Sequence, residues 1–255
     1  MLKHLKKITG IIILTLLVSS CASKDKMLYL QNKINRVATD NYETQLKPDD
    51  ILLIVVSSDN PEASQAYNLE AVTMQGTSET GVYQRRLQTY IIDKNGSIDF
   101  PNIGSVKLAG LTKTQAVLFI KELLKDHIKN PIVNIRILNY EVTVLGEVNR
   151  PGAISIDSER LTLLEALGKA GDLTVYGNRK NIMLIREEDG KTTSHKIDIT
   201  KSNFVNSPYY FLQQNDVVYV EPNQTRVNSS VIGPNLTVGI SALSLIVTII
   251  ALTLR

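Results

Sequence analysis

The closing run of the chain, from Leu236 to Arg255, is apolar and carries no charge before its final arginine. An apolar run of this length must be covered by lipid or by other protein, so it constrains the fold more than any other segment. About 20 helical residues span roughly 30 Å, which is the thickness of the hydrocarbon core of a bilayer. We therefore predict a transmembrane helix over residues 235–255.

One narrow stripe of this helix carries mainly small and hydroxyl side chains when successive residues are placed about 100° apart. Small residues let a neighbouring helix approach closely, and hydroxyl groups can hydrogen bond across the contact. In a ring of such helices, the same stripe would instead face a water-filled lumen. The pattern predicts a candidate pore or helix-contact stripe and leaves both orientations open. Its residues are Thr237, Ser241, Ser244, Thr248, Ala251 and Arg255.

The beginning of the chain has the layout of a secretory signal peptide. Lys3, Lys6 and Lys7 precede an apolar stretch, which small residues and Cys21 follow. Cys21 is the only cysteine, and the sequence around it resembles the bacterial lipobox. We predict a lipoprotein signal peptide over residues 1–20 and lipidation of Cys21. An uncleaved anchor is the alternative, although the apolar stretch is short for a membrane span.

Charge excludes one class of partner. The chain has 28 basic and 25 acidic residues, and the leader lysines account for the whole excess, so the mature chain is formally neutral. A basic pI therefore does not indicate a nucleic acid partner, and we predict none. Roughly 200 residues remain between the apolar ends, enough for one large or two ordinary domains.

Folded sequence is predicted to begin near Tyr42, after a polar linker over residues 21–41. The run Ile51 to Val56 predicts a buried strand, and Asn60 before Pro61 is typical of a helix start. We expect a loop over residues 69–81 and then a hairpin that turns at residues 94–96. An amphipathic helix follows, with capping-box spacing at its start, and the alternating stretch "PIVNIRIL" predicts another strand.

A second unit repeats this plan. "LTKTQA", at the start of the amphipathic helix, matches "LTLLEA", which begins the helix of the second unit. "LKPDDILLI" also matches "LQQNDVVYV", which places Asp50 opposite Asp216. A Pro-Gly turn at Pro151 and Gly152 and a hairpin turn at Asp189 and Gly190 complete the second unit. The pattern predicts an α+β fold of two small units with mixed or antiparallel sheets. Chance similarity of short amphipathic pieces is the alternative.

Enzyme and metal signatures are missing from the sequence. His4, His127 and His195 are far apart, and no phosphate-binding, nucleophile-elbow or zinc-ligand spacing occurs. The acidic group Glu187, Glu188 and Asp189 falls at a hairpin turn, where charge is normally solvated. The chain has no tryptophan, and the aromatic residues of "SPYYFLQQNDVVYVEPN" fit core or subunit contacts better than a glycan platform. We predict no catalysis, no metal and no cofactor.

The motifs resemble those of the outer-membrane polysaccharide export proteins, the Wza-like or OPX family. "PDDILLIVV" and "KNGSIDFPNIGSVKLAGLT" are similar to the polysaccharide export domain. "VTVLGEVNRPGAI", "LTLLEALGKAGDLTVYGNRKNIMLIRE" and "YYFLQQNDVVYVEPN" are similar to the soluble-ligand-binding β-grasp (SLBB) domain. Two departures stand out. Asp49 takes the place where the family usually has glycine, so the turn before Asp50 is expected to differ, and only one SLBB unit fits the length.

The resemblance implies a polysaccharide export domain over residues 42–139, an SLBB domain over 140–223, a linker over 224–234 and the terminal helix. It also implies a homo-oligomeric ring, commonly octameric, around a conduit for capsular or exopolysaccharide. The terminal helices would form a barrel in the outer membrane, and the two domains would lie in the periplasm of a Gram-negative bacterium. An inner-membrane polysaccharide co-polymerase and membrane lipid are the other implied partners.

Alternatives remain open at this point. The protein could be a periplasmic scaffold or glycan-binding lipoprotein that forms no pore, while an enzyme acting on envelope polysaccharide has no supporting constellation. The terminal run could be an inner-membrane anchor or a soluble packing helix. Glu147 and Arg179 are candidates for inter-subunit ion pairs, with a solvated surface role as the alternative.

Overall fold

The structure is a computed structural model that describes residues 27–34, 42–75, 82–188 and 190–231, and residues 238–239, 241–242, 244–246 and 248–249 of the closing run. Two α+β units follow each other along the chain, and each has its own cluster of buried apolar side chains. Ile137, at the end of the first unit, packs against both clusters. The predicted α+β class and the two successive units are therefore confirmed.

The first unit is built around a three-stranded antiparallel sheet in the order β4-β1-β7. Strands β2 and β3 form one separate ladder, and β5 and β6 form another. Its elements are β1 (Ile51–Ser57), α1 (Pro61–Gln65), β2 (Glu70–Gln75), β3 (Val82–Leu87), β4 (Tyr90–Ile91), β5 (Ser97–Phe100), β6 (Gly104–Lys107), α2 (Lys113–Leu124) and β7 (Ile132–Ile137).

Local sequence explains where the helices of this unit begin. The Asn60 side chain accepts a hydrogen bond from the Glu62 N–H at 3.1 Å, with Pro61 in the first helical turn. Thr112 and Gln115 form the reciprocal capping box that their spacing predicts at the start of α2. Helix α2 buries Ala116, Ile120 and Leu124 in the core beneath the sheet.

The second unit holds a five-stranded sheet in the order β12-β11-β14-β8-β9, in which β14 and β8 are parallel and the other neighbours antiparallel. The prediction of mixed or antiparallel sheets is thus confirmed. Its elements are β8 (Glu141–Gly146), β9 (Gly152–Ser155), β10 (Leu161–Thr162), α3 (Leu163–Lys169), β11 (Gly177–Glu188), β12 (Lys191–Ile197), a 3-10 helix (Ser202–Asn206), β13 (Phe211–Leu212), β14 (Val217–Pro222) and α4 (Gln224–Val231). Helix α3 begins at a second capping box.

Gly146 permits the close approach of the parallel strands. Its φ is +88°, and a Cβ atom at this position would lie 2.1 Å from the Val220 carbonyl oxygen. A side chain would therefore collide with the backbone of β14, which can move only with the sheet. This steric requirement explains the glycine of the "LGEV" stretch at the end of β8.

Two expectations for the first unit are wrong. Residues 69–81 are not a loop throughout, because β2 lies within them and pairs with β3. The turn at residues 94–96 is present, and the Asp93 N–H donates to the Ser97 carbonyl across it at 2.8 Å. The strands on either side of this turn, β4 and β5, nevertheless do not pair with each other. Strand β4 pairs with β1, and β5 pairs with β6.

The end of the chain also differs from expectation. The predicted linker over 224–234 begins with helix α4, which Asn223 caps by accepting the Arg226 N–H at 3.0 Å. In the described portion of the chain, no helix is long and apolar enough to cross a membrane. The predicted transmembrane helix over 235–255 includes residues outside the described ones and stays a prediction. Those of its residues that the structure describes are helical, with exposed side chains.

Candidate functional site

Both units contain the same turn around a buried aspartate. In the first unit the Lys47 N–H donates to the Asp50 carboxylate at 2.9 Å, and the Asp50 N–H donates to the Lys47 carbonyl at 3.2 Å. In the second unit Gln213 and Asp216 make the same two bonds at 2.7 and 3.2 Å. The sequence echo between "LKPDDILLI" and "LQQNDVVYV" therefore corresponds to one shared local geometry.

The residue before each aspartate adopts a left-handed backbone conformation. The φ angles of Asp49 and Asn215 are 69° and 65°. Asp and Asn tolerate this region better than other non-glycine residues, and glycine tolerates it best. Asp49 thus adopts the conformation that a glycine would favour, so the expected difference in the turn is not observed.

The two aspartates differ in the hydrogen-bond partners of their carboxylate oxygens. Asp216 accepts two hydrogen bonds from the buried Arg186 guanidinium, at 2.9 and 2.7 Å. One carboxylate oxygen of Asp50 is buried without a hydrogen-bond partner. Burial raises the pKa of Asp50 to about 6, against the lowering effect of the Lys47 N–H. The second turn is electrostatically satisfied, and the first is not.

These turns meet where the two units touch. The Tyr42 ring stacks on the Phe211 ring with their centroids 4.6 Å apart, and the Lys47 ammonium donates to the Gln213 side chain at 2.8 Å. The Tyr140 hydroxyl donates to the Leu212 carbonyl at 2.8 Å. Phe211 and Tyr42 therefore pack between the units, and Tyr140 fixes the backbone of the second unit at Leu212.

The segment that precedes the first unit docks on the second unit. The Leu30 N–H donates to the Ile199 carbonyl at 3.1 Å, and the Gln31 N–H donates to the Thr200 carbonyl at 2.7 Å. We call residues 27–34 the tether. Backbone hydrogen bonds of this kind fix the path of the tether along the second unit.

Tyr29 holds the tether to a loop over residues 172–177, which we call the docking loop. Its hydroxyl donates to the Asp172 carboxylate at 2.5 Å, and the Arg179 guanidinium carbon lies 5.5 Å from the centroid of its ring. Burial, followed by the hydrogen bond to Asp172, raises the pKa of Tyr29 to about 12. Sequence reasoning missed this contact because nothing local links residues so far apart in the chain.

Helix α4 is attached to the same docking loop. The Asn223 side chain donates to the Val175 carbonyl at 3.0 Å. The Arg226 guanidinium pairs with Glu147 at 3.2 Å and lies over the Tyr176 ring, 5.2 Å from its centroid. The tether and α4 therefore leave the second unit at the same end.

The structure assigns Glu147 and Arg179 contacts within the chain. Glu147 accepts a hydrogen bond from the Thr174 hydroxyl at 2.8 Å in addition to its pair with Arg226. Arg179 is buried and donates to the Gly177 carbonyl at 3.0 Å. Both side chains therefore contact the docking loop within the chain, and their role in inter-subunit ion pairs stays a prediction.

Several predicted site residues lie outside the described residues, namely Cys21, Thr237, Ala251 and Arg255. Ser241, Ser244 and Thr248 are described as helical and exposed. The Thr248 hydroxyl donates to the Ser244 carbonyl at 2.8 Å within the helix. The candidate stripe and the lipidation of Cys21 therefore stay predictions.

The described residues show no grouping of three or more side chains that could hold a metal ion. Two of the histidines pack on aromatic rings. The His195 ring stacks on Tyr209 with centroids 4.1 Å apart, and the His127 ring lies 5.9 Å from Tyr67. These contacts give both side chains a packing role.

Comparison with known families matches both units. Residues 38–138 match the family described as "Polysaccharide biosynthesis/export protein", and residues 140–220 match the SLBB domain. The chain is 31% identical over 186 residues to "EPS I polysaccharide export outer membrane protein EpsA" of Ralstonia solanacearum. It is 33% identical over 182 residues to the protein of the same description from Ralstonia nicotianae. The chain belongs to the outer-membrane polysaccharide export family.

The matches cover 69% of this chain and 47% and 46% of the two relatives. The chain thus spans about half the length of the curated relatives that it matches. The expected relationship to the outer-membrane polysaccharide export family is confirmed, and the expected outer-membrane location agrees with the names of both relatives.

Proposed function

We propose that the protein is a subunit of an outer-membrane exporter for capsular or exopolysaccharide. Several copies form a ring, residues 42–139 and 140–223 form its periplasmic layers, and the closing segment lines or surrounds the exit. The protein is not an enzyme in this proposal. The polymer passes through a hydrated channel, and the energy comes from polymer synthesis and from an inner-membrane co-polymerase.

The observation that carries the proposal is the shared docking loop. The tether begins at Met27, six positions after Cys21, and six extended residues reach at most roughly 22 Å. A lipid on Cys21 would therefore lie close to the end of the second unit from which α4 leads toward the closing apolar run. The lipid and the closing apolar run would then enter the same membrane, and the first unit would extend toward the periplasm.

The lipid and the closing apolar run have different roles in this proposal. A lipid can attach one subunit to a leaflet, but it provides no path for a polymer. The closing run can provide one if the copies in a ring place their Thr237, Ser241, Ser244 and Thr248 side chains toward water or toward each other. The exposed apolar side chains of this segment, among them Val238 and Leu245, support a need for cover by lipid or by neighbouring copies.

Deletion of residues 236–255 tests the pore role. The expected result is a folded, membrane-attached protein without surface polysaccharide, since the tether and both units are retained. Cys21→Ser serves as the comparison, because it removes the predicted lipid and leaves the closing run in place. Normal surface polysaccharide in the deletion strain would exclude a pore and favour a scaffold or glycan-binding lipoprotein.

Electron microscopy of the detergent-extracted wild-type protein tests the ring directly. We expect particles with rotational symmetry and a central opening. Labelling of Ser241→Cys and Ser244→Cys with a membrane-impermeant thiol reagent then separates the two orientations of the stripe. Rapid labelling indicates a wetted lumen, and protection indicates contact between helices.

A further inference from the structure

Among the described residues, the outer face of the sheet in the first unit carries exposed apolar side chains. The inner face of this sheet packs on α2, with Ile54 and Ile135 in the core. On the outer face, Ile91 and Ile132 are 62% and 61% exposed, and Leu53 lies between them on β1. Apolar strand residues of this kind are normally covered by a second layer.

An unpaired cation lies in this apolar surface. Arg136 is the cross-strand partner of Leu53 and shares the outer side of β7 with Ile132. It is exposed, and no carboxylate of the described residues forms an ion pair with it. We call Leu53, Val55, Ile91, Ile132 and Arg136 the sheet face. A partner for this face needs apolar side chains and a carboxylate.

A surface of that chemistry lies on the opposite side of the same unit. Helix α2 turns Ala116, Ile120 and Leu124 inward, and Leu118 points away from them on the helical wheel. Leu118 and Phe119 are 60% and 41% exposed. Glu122 follows Leu118 by one helical turn, so the two side chains are neighbours, and Lys121 and Lys125 flank them on the outward side of α2. We call Leu118, Phe119 and Glu122 the helix face.

The sheet face and the helix face cannot meet within one chain, because the sheet and the helix are the two layers that separate them. They can meet only between copies, with different surfaces used on each copy. Contacts of this head-to-tail type close into rings when the rotation between copies allows it. Two copies joined through their sheet faces would instead place two Arg136 cations in one contact without a carboxylate from either face, which like-charge repulsion disfavours.

We propose that the sheet face of each subunit packs against the helix face of the next copy, with Arg136 opposite Glu122. This assignment rests on the proposed ring and names the surface that builds it. Glu122 forms an exposed pair with Lys125 at 3.1 Å in the single chain. An exposed surface pair of this kind contributes little to stability, so it yields readily to a partly buried contact with Arg136.

Crosslinking of the full-length, detergent-extracted protein tests the contact. Leu118→Cys and Ile132→Cys are introduced separately and together, and a short bismaleimide is added. The wild-type chain, whose only cysteine is Cys21, controls for reaction at that residue. The double variant should give a ladder of multimers, and each single variant alone should not. Mixing the two single variants by co-expression should give dimers.

Two results would overturn the assignment. A dimer from Ile132→Cys alone would mean that sheet faces meet each other. Rings visible by electron microscopy without a crosslinked ladder would mean that other surfaces build the ring. The absence of rings from the wild-type protein would instead refute the proposed ring itself, so the two failures are distinguishable.

A charge exchange tests the polar part of the contact. Arg136→Glu should raise the protein concentration needed for half-assembly at least roughly tenfold, because it places two carboxylates together. The double variant Arg136→Glu with Glu122→Arg should restore assembly. Lys107→Glu, on β6 and outside both faces, is the matched control and should assemble normally. Failure of the double variant to recover, with its domains folded, would contradict the pairing.

Discussion

The buried aspartates of the two related turns stand in different electrostatic surroundings. Asp216 faces a guanidinium, whereas Asp50 has an unpartnered oxygen in an apolar site. Because the pKa of Asp50 is raised to about 6, the folded state holds a proton that the unfolded chain loses near pH 4. The contribution of this group to the free energy of unfolding therefore falls as the pH rises from about 4 to about 6.

Asp50→Asn should remove that pH dependence. Between pH 4 and pH 7 the Asp50 carboxylate ionises in the wild-type protein and lowers its stability, whereas the asparagine carries no charge. The free energy of unfolding of the variant relative to wild type should therefore increase by on the order of 2 kcal/mol over this pH range. Chemical denaturation at several pH values measures this difference.

Asp216→Asn is the matched control in the second turn. It removes both hydrogen bonds between the buried Arg186 guanidinium and Asp216 and leaves only the Glu188 carboxylate, 3.9 Å away, so it should destabilise the protein by about 3 to 5 kcal/mol at neutral pH. Equal stability changes for the two variants at pH 7 would contradict the different surroundings of the two carboxylates.

Gly146 tests how tightly the parallel strands pack. Gly146→Ala should lower the free energy of unfolding by more than about 2 kcal/mol, because the new methyl group would collide with the Val220 carbonyl and the φ is positive. Gly168→Ala, in α3 with open space around it, should be neutral or stabilise by up to about 1 kcal/mol. Similar denaturation midpoints for both variants would refute this steric argument.

Among the elements, the tether depends on a few contacts with the second unit. Tyr29→Ala removes both the hydrogen bond to Asp172 and the ring beneath Arg179. We expect amide exchange at Leu30 and Gln31 to accelerate roughly tenfold, which corresponds to the loss of about 1 to 2 kcal/mol. Hydrogen exchange measured by mass spectrometry reports the change.

Tyr29→Phe separates the two contributions, since it keeps the ring and loses the hydroxyl. Its exchange rates at the tether should lie between those of wild type and Tyr29→Ala. The Leu46 amide, which donates to the Leu111 carbonyl in the first unit, serves as an internal control. Unchanged exchange at Leu30 and Gln31 would show that the backbone bonds alone hold the tether.

Sequence predicts elements well where the signal is local. The starts of α2 and α3 follow from Thr112 and Thr162, because a capping box needs only residues three positions apart. The sequence predicts a loop in place of strand β2 because "EAVTMQ" lies in a mixed polar stretch without clear alternation. Its pairing with β3 is a contact between segments, which periodicity within one segment cannot reveal.

The candidate site shows the same boundary between local and distant information. The echo of Asp50 and Asp216 was visible because both turns share a short pattern. The contacts of the docking loop cannot be read from the sequence, since they bring together Tyr29, Asp172 and Arg226 from three distant parts of the chain. Backbone geometry also decided the role of Asp49, whose left-handed φ becomes apparent only in the folded turn.

At the scale of the whole molecule, contacts across the domain junction should couple the unfolding of the two units. Tyr42→Ala removes the stack on Phe211 and should turn one calorimetric transition into two, or broaden it. Tyr67→Ala, within the first unit, should lower the stability of that unit and leave the coupling intact. Two separate transitions in the wild-type protein would contradict the coupling.

The position of the tether has a consequence for the order of events during synthesis. Tyr29 and Asp172 are 143 positions apart, and a ribosome that adds 5 to 20 residues each second needs about 7 to 30 s to travel between them. The docking loop, to which Tyr29 binds, is thus synthesised only when about two thirds of the polypeptide already exists. Throughout that interval the newborn amino-terminal segment has no folded surface to bind, so it remains open to processing enzymes until the carboxyl-terminal unit closes over it.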